Sequence, residues 1–288
     1  MKAMRRLAVL GVLAWCFGTA QAQDDDLLVR GDYLMNGVVA CVNCHAARDE
    51  KGKVLKNLGL SGGMVFEAPV FTAYAANITP DRKTGIGGWT DAQLANAIRN
   101  GVRPDGSLIG PPMPTPFYRN LSDRDLAAII AYLRAQPAVE HAVPKSTYRM
   151  PLPPNYGPPV THVTAPKPTD TVGYGRYLAE IGHCMECHTP RDAHGQLVMS
   201  QLGAGGQLIQ GPAGMEAVSA NLTPDRDGLR NWTDAQVARA IRTGIDDEGK
   251  PLVRIMAFDW YRNIDDADMK SLIAYLRSLP AQPSPKQP

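Results

Sequence analysis

Apolar residues recur at helical spacing in two stretches of the chain, and each stretch starts with a helix-capping residue. The spacing is i, i+3, i+4, i+7, which is typical of an amphipathic helix. The stretches begin at Ser122 and Asp265. Their apolar members are Leu126, Ile129, Ile130 and Leu133 in the first, and Met269, Leu272, Ile273 and Leu276 in the second. We therefore predict a closing helix in each half of the chain.

A shorter helical pattern precedes each closing helix. Thr90 is followed three residues later by Gln93, which forms a capping box, and Gly101 ends the apolar stripe. An opening helix is expected around Tyr33 and Leu34. The second half repeats these signals in Thr233, Gln236, Gly244, Tyr177 and Leu178. Each half is thus predicted to contain an opening helix, a long loop and two further helices.

The two halves align with each other at an offset of 143 residues. The alignment joins Trp89-Thr90-Asp91-Ala92-Gln93 to Trp232-Thr233-Asp234-Ala235-Gln236. Other matched pairs are Cys41 and Cys184, His45 and His188, Tyr118 and Tyr261, and Tyr132 and Tyr275. Two copies are too few for a solenoid, so we predict two similar domains in tandem.

The N-terminal segment has the pattern of a secretory signal peptide. Lys2, Arg5 and Arg6 precede an apolar run over residues 7–17, and Ala20-Gln21-Ala22 matches an A-x-A cleavage site. We expect residues 1–22 to be removed and the mature chain to reside in the periplasm. A retained membrane anchor is the alternative, although the run is short for a membrane span.

Composition and charge change this picture little. Removal of the signal would leave 27 Lys and Arg against 28 Asp and Glu, so the mature chain is nearly neutral. The chain has no basic block or stripe of the kind that binds nucleic acid. Residues 137–170 are rich in Pro and lack a helical period, which predicts an extended linker, and residues 280–288 are expected to form a flexible tail.

The motif that carries chemistry also occurs twice at the repeat offset. It is Cys41-Val42-Asn43-Cys44-His45 in the first half and Cys184-Met185-Glu186-Cys187-His188 in the second. This spacing is the attachment signature of c-type haem, in which the two thiols form thioethers and the histidine is the proximal iron ligand. A thioredoxin-like or zinc motif is the alternative for one isolated copy. Two matched copies favour two covalently bound haem c groups.

Methionine occupies one repeated position that suits the opposite face of each iron. Met113 lies 68 residues after His45, and Met256 lies 68 residues after His188. A thioether ligand raises the reduction potential of haem iron. No other methionine of the mature chain has a methionine partner in the other half. We predict Met113 and Met256 as the sixth ligands, and we expect Arg254, beside Met256, to raise the potential of the second haem.

Other residues that recur in both halves are candidates for contacts with the haem propionates. Trp89 and Trp232 offer indole N–H donors, with core packing as the alternative, and Asn77 and Asn221 recur nearly in register. Weaker candidates are Arg99 and Arg242, for which a solvated face is the alternative. The remaining histidines are predicted to be surface or linker residues: His141, His162, His183 and His194.

Several segments resemble the cytochrome c subunits of bacterial alcohol, gluconate, sorbitol and aldehyde dehydrogenases. They include Asn77-Ile78-Thr79-Pro80-Asp81, Gly85-Ile86-Gly87-Gly88-Trp89 and Pro112-Met113-Pro114. The resemblance covers both halves and implies a mainly α fold of two tandem class I cytochrome c domains with long loops and a Pro-rich linker. The expected division is signal 1–22, domain 23–136, linker 137–170, domain 171–279 and tail 280–288.

The resemblance also implies electron transfer rather than catalysis by this chain. With histidine on one side and methionine on the other, neither iron keeps an open position for a substrate. The expected donor is a periplasmic dehydrogenase of alcohol, aldehyde or sugar-acid type. The expected acceptor is a cytochrome, an oxidase or quinone machinery, reached in the periplasm or at the inner-membrane surface. The alternative is a dihaem enzyme such as a peroxidase or a thiosulfate dehydrogenase.

Overall fold

Helices dominate the computed structural model, which describes residues 25–211 and 214–286. The predicted signal peptide lies outside these residues. The helices of the first half are α1 (residues 25–35), α2 (Cys41–His45), α3 (Asp91–Asn100), α4 (Thr115–Tyr118) and α5 (Asp123–Ala135). Those of the second half are α6 (Thr171–Ile181), α7 (Cys184–His188), α8 (Asp234–Thr243), α9 (Phe258–Tyr261) and α10 (Asp266–Ser278). None of the helices in the described ranges is long and apolar enough to cross a membrane.

The predicted capping signals are confirmed at both ends of α3 and α8. Thr90 and Gln93 form a reciprocal capping box at the start of α3, and Gly101 ends that helix in the left-handed conformation. The corresponding residues Thr233, Gln236 and Gly244 do the same at α8. The closing helices begin at the predicted caps, because the side chains of the residues before α5 and α10 accept backbone N–H groups: Ser122 from Asp125, and Asp265 from Asp268.

The opening and closing helices of each half cross at close range. A Cβ atom at Gly31 of α1 would lie 2.2 Å from the carbonyl oxygen of Ala128 in α5. At the matching position, a Cβ atom at Gly175 of α6 would lie 1.8 Å from the carbonyl oxygen of Ser271 in α10. Only glycine fits at such a crossing. The buried apolar residues around the two crossings form one continuous core that spans both halves.

Two short β-hairpins lie in segments that the sequence predicts as loops. In the first half, β1 (Val65–Ala68) pairs with β2 (Phe71–Tyr74), and β3 (Thr147–Tyr148) adds to β2. In the second half, β4 (Leu208–Gln210) pairs with β5 (Glu216–Val218). Strands of two to four residues carry too little alternation to be recognised in a sequence.

The Pro-rich segment 137–170 runs over the surface of the first half, as an extended linker would. Its backbone is held by side chains of that half: Asn100 bonds Val160, and Asp123 accepts the N–H of Val163. The segment after α10 is also held, which differs from the flexible tail expected for it. The Gln282 carbonyl accepts a 2.7 Å hydrogen bond from Asn221, so this part of the tail is tied to the second half.

Candidate functional site

One cavity of about 1100 Å³ is lined by all the cysteine, histidine, methionine, asparagine and tryptophan residues that the sequence predicts at the haem sites. Its wall includes both Cys-x-x-Cys-His segments and both repeated methionines. The predicted residues on the wall are Cys41, Cys44, His45, Asn77, Trp89 and Met113 from the first half, and Cys184, Cys187, His188, Asn221, Trp232 and Met256 from the second. The cavity is mostly apolar and exceeds the usual size of a pocket for one small ligand. The two sites are therefore neighbouring parts of one space.

Each Cys-x-x-Cys-His segment forms a single helical turn that starts after a left-handed residue. Ala40 precedes α2 with φ of 51°, and His183 precedes α7 with φ of 44°. A residue with a Cβ atom rarely adopts this region, and such conformations concentrate at functional sites. The sharp entry turns the first cysteine of each motif toward the cavity. Sequence patterns gave no signal for this turn, because neither residue is glycine or asparagine.

The proximal histidines are oriented by backbone carbonyl groups. Nδ1 of His45 lies 2.9 Å from the carbonyl oxygen of Ala76, and Nδ1 of His188 lies 2.8 Å from that of Ala220. Because a carbonyl only accepts, Nδ1 carries the proton and Nε2 keeps its lone pair. Burial lowers the pKa of both imidazoles, which favours their neutral form. This is the tautomer and charge that an iron ligand requires.

The repeated asparagines fix the backbone that orients these histidines. Oδ1 of Asn77 accepts hydrogen bonds from the backbone N–H and the hydroxyl of Thr79, which makes a tight Asx turn. Its Nδ2 donates to the carbonyl of Val139, 2.8 Å away in the linker. Asn221 makes the equivalent turn with Thr223. Both asparagines line the cavity, but their amide groups are engaged in holding the chain around it.

The methionine loops are held against the C-terminal ends of α3 and α8. The carbonyl of Gly101 accepts a 2.7 Å hydrogen bond from the N–H of Ile109, and the carbonyl of Gly244 accepts one of 2.7 Å from Leu252. Each glycine is left-handed and leaves space for a side chain that follows the methionine, Thr115 or Phe258. Met113 and Met256 themselves are partly buried and pack on the core.

The four cysteines of the motifs lie in surroundings that disfavour a thiolate. Burial raises the pKa of Cys41 to about 12 and that of Cys44 to about 11, and the second motif behaves in the same way. A redox-active Cys-x-x-Cys pair has a thiol with a lowered pKa instead. The environment suits an uncharged sulfur, as a thioether is, and it argues against the thioredoxin-like alternative.

Three arginines have partners other than those expected: Arg99 and Arg242, predicted to contact propionates, and Arg254, predicted to raise the potential of the second haem. Arg99 donates to the Leu121 carbonyl at 2.7 Å and to Asp123 at 2.8 Å, so it joins α3 to the start of α5. Arg242 makes the matching bonds in the second half. Arg254 bonds Asp259 at 2.7 Å and does not line the cavity. Helix propensity and repeat position alone could not show which way these long side chains turn.

The indole groups of Trp89 and Trp232 differ from these arginines. Both line the cavity, and within the described ranges neither indole N–H has a protein partner. Both indole N–H groups stay available as donors to a group in the cavity.

Arg103 was not singled out from the sequence, yet it lines the cavity in the first half. Its repeat counterpart is Asp246, so a search for conserved pairs between the halves would have missed it.

His183 is partly buried and lines the cavity, with 30% of its side chain exposed, which corrects its prediction as a surface or linker residue. Its ring meets that of Tyr118 edge to face, with centroids 6.1 Å apart, and burial lowers its pKa to about 4. Nδ1 of His183 lies 3.6 Å from Glu186, whose pKa burial raises to about 7. Tyr118 belongs to the first half and His183 to the second, so this contact crosses between the halves beside the cavity.

Residues 30–137 match the profile of the family described as cytochrome c. The alcohol dehydrogenase (quinone) cytochrome c subunit of Gluconobacter oxydans is 31% identical over 97% of this chain and 60% of its own length. The gluconate 2-dehydrogenase cytochrome c subunit of Pantoea cypripedii is 32% identical over 95% and 64%. The chain thus spans less than two thirds of these two relatives.

A third relative matches over most of both chains. The diheme cytochrome c-type protein of Cereibacter sphaeroides is 32% identical over 84% of this chain and 82% of its own length. Cytochromes c carry covalently bound haem c, and the histidine, cysteine and methionine side chains around the cavity fit that group. The chain belongs to the cytochrome c family and is similar to the cytochrome c subunits of dehydrogenases.

Proposed function

We propose that this chain is a periplasmic dihaem cytochrome c that carries electrons from a partner dehydrogenase to a respiratory acceptor. Two tandem class I domains, residues 23–136 and 171–279, would each hold one haem c. The donor would be a dehydrogenase of alcohol, aldehyde or sugar-acid type, and the acceptor a cytochrome, an oxidase or quinone machinery. The single observation that carries the proposal is the shared cavity, lined by two complete sets of cysteine, histidine and methionine ligands.

The ligand residues support a closed, six-coordinate site in each half. The cysteines would tether the haem, His45 and His188 would bind iron through Nε2, and Met113 and Met256 would bind on the opposite face. Haem c supplies a one-electron redox centre. Trp89 and Trp232 would donate to the propionates. With every ligand position filled by protein, the residues would hold and tune the centre without admitting a substrate.

A dihaem enzyme is the competing proposal, and the residue inventory favours the carrier. A peroxidase requires an open or openable iron, but both halves place methionine at the same position. A thiosulfate dehydrogenase uses a cysteine ligand, and each of the four described cysteines belongs to a Cys-x-x-Cys-His segment. The repeat of the whole ligand set thus supports electron transfer at both sites.

Matched methionine variants test the proposal. We expect two haems per chain in the wild type, by mass and by pyridine haemochrome, and a far-red absorption band of Met-ligated ferric haem. Met113→Ala and Met256→Ala should each remove about half of that band and convert one haem to high spin, because each removes one axial thioether. Met150→Ala, a partly exposed linker methionine, is the control and should leave the band intact. A wild type with one haem, or with turnover of peroxide and no partner, would refute the carrier.

A further inference from the structure

Two tyrosines exchange hydrogen bonds between the halves in a pseudo-two-fold arrangement. The hydroxyl of Tyr33 in α1 donates to Asp268 in α10 at 2.7 Å. The hydroxyl of Tyr177 in α6 donates to Asp125 in α5 at 2.6 Å. Asp125 and Asp268 match at the repeat offset of 143, and Tyr33 and Tyr177 match at an offset of 144, one residue more, as do the other paired residues of the opening helices. Each half therefore supplies one donor and one acceptor, the reciprocity that a symmetric dimer interface has.

The same hydroxyls extend the caps of the opposite closing helices. The Tyr177 oxygen accepts the backbone N–H of Ser122 at 3.2 Å, and the Tyr33 oxygen accepts that of Asp265 at 3.3 Å. Both of these acceptor–donor pairs lie at helix starts, where backbone N–H groups lack partners within the helix. Each opening helix is thereby attached to the first turn of the other half's closing helix.

One guanidinium lies close to both buried carboxylates and pairs mainly with Asp125. Arg30 bonds Asp125 with two nitrogens, at 2.8 and 2.9 Å, and its remaining nitrogen lies 4.0 Å from Asp268. Both carboxylates are at least nine-tenths buried. The repeat counterpart of Arg30 is Tyr174, whose hydroxyl also bonds Arg30. A buried charge set of this kind is costly to break because each member would lose its partner.

Other contacts between the halves lie closer to the cavity than these reciprocal tyrosine–aspartate hydrogen bonds. Nε1 of Trp260 in α9 donates to Oδ1 of Asn43, which lies inside the first Cys-x-x-Cys-His segment, at 3.2 Å. Asn263 donates to the carbonyl of Asn36 at 2.7 Å. The edge-to-face contact of Tyr118 with His183 also joins the two halves. The interface thus connects directly to the turns that carry the haem ligands.

We infer that Tyr33 and Tyr177 are positioning residues for electron transfer between the two haem sites. Their bonds to Asp268 and Asp125 fix the angle and separation of the halves, and so of the two ligand sets in the shared cavity. Electron tunnelling falls steeply with distance, so a fixed separation sets the rate of transfer between sites. This inference rests on the proposed function, since it requires a haem at each site.

Circular dichroism of the haem Soret band tests the inference in the holoprotein. Two haems held at a fixed angle give an exciton couplet, whereas haems that reorient independently give little. Tyr33→Phe and Tyr177→Phe keep the ring but remove the hydroxyl that bonds the other half. We expect each single variant to lose part of the couplet and the double variant to lose most of it. After flash reduction, electron transfer between the haems should slow in the same order.

Control variants separate positioning from general destabilisation. Tyr132→Phe makes the same chemical change at a hydroxyl that bonds Asn36 within one half, so the couplet should not change. Asp125→Asn keeps an acceptor for Tyr177 and should retain the couplet, even if stability falls. A double variant with two six-coordinate haems and an unchanged couplet would overturn the inference. If the double variant does not fold, an unchanged couplet in both single variants has the same consequence.

Haem counting keeps this outcome distinct from failure of the proposed function. A wild type with one haem per chain refutes the dihaem proposal, and the couplet is then absent from the start. Two haems in every variant, with altered coupling only in the tyrosine variants, support the inference. Unchanged absorption spectra would show that the axial ligands are intact, so the change would arise from the relation between the sites.

Discussion

The two hairpins that line the cavity share a repeat position but differ in whether a third strand covers them. In the first half, the linker strand β3 pairs with β2 and places Tyr148 against Phe71, with ring centroids 6.0 Å apart. In the second half, no third strand lies on β5 within the described residues. Leu208 and Val218 are 60% and 49% exposed there. The repeat builds the scaffold of both sites, and the segment that follows each repeat determines how far each site is covered.

The charges on the cavity wall also differ between the halves. Arg103 lines the first part of the cavity, whereas Asp246 and Asp247 line the second. Arg103 and Asp246 occupy the same repeat position. A cation beside haem iron favours the reduced state, and an anion favours the oxidised state. If each half holds a haem as proposed, this charge difference predicts a higher potential in the first half, although the predicted ligand sets are the same.

Matched substitutions in the two helical scaffolds should destabilise the protein equally. They have the largest expected effect on the free energy of unfolding. Leu34→Ala and Leu178→Ala remove matching side chains that are 0% exposed. Each should lower the free energy of unfolding by about 2–5 kcal/mol, because a buried leucine loses its contacts and leaves a cavity. Denaturant titration of the holoprotein measures this. A cost confined to one variant would show that the two scaffolds are not equivalent.

Weakening the contact of β3 with β2 should make the first hairpin exchange its amide hydrogens as fast as the second hairpin does. Tyr148→Ala loses a half-buried ring and the hydrogen bond to the Pro111 carbonyl, 3.0 Å away. We expect a loss of about 1–3 kcal/mol, less than for a fully buried aromatic residue. Hydrogen exchange of residues 71–74 should rise toward that of residues 216–218. Tyr148→Phe, which loses only the hydrogen bond, should cost about 1 kcal/mol. Exchange that stays slow in Tyr148→Ala would mean that β3 does not protect β2.

The helices that both halves share were largely predictable from the sequence. The third strand that pairs with the hairpin in the first half alone was not. The cap at Thr90 is a local signal, since its partner Gln93 lies three residues away and the bond forms whatever surrounds the helix. The bond from Tyr33 to Asp268 joins residues 235 positions apart. No periodicity reports such a contact, and the strand that covers β2 comes from a linker without a helical or strand pattern. Long-range polar pairs and side-chain directions therefore required the structure.

The charge difference between the sites is open to a direct test. Arg103→Gln should lower the potential of the first haem and leave the second unchanged, because Arg103 is a cavity residue of the first half. An effect of about 1 kcal/mol in favour of the oxidised state is expected for one partly solvated charge. Spectroelectrochemical titration resolves it when the Met256→Ala background identifies the first haem. A potential that shifts only at the second haem would contradict the assignment.

The smallest effect is expected at Arg254, where the structure changes the expectation from sequence. Its guanidinium bonds Asp259 at 2.7 Å, the two side chains are 58% and 63% exposed, and Arg262 lies 3.4 Å from the same carboxylate. Solvent screens an exposed pair, so Arg254→Ala should change the second potential by less than about 1 kcal/mol. Asp259→Asn should raise that potential more, because it leaves two arginines without their carboxylate, and added salt should remove the difference. A large shift of the second potential in Arg254→Ala that persists at high salt would mean that the arginine acts on the haem directly. The methionine loop, rather than Asp246 and Asp247, would then determine the potential of the second site.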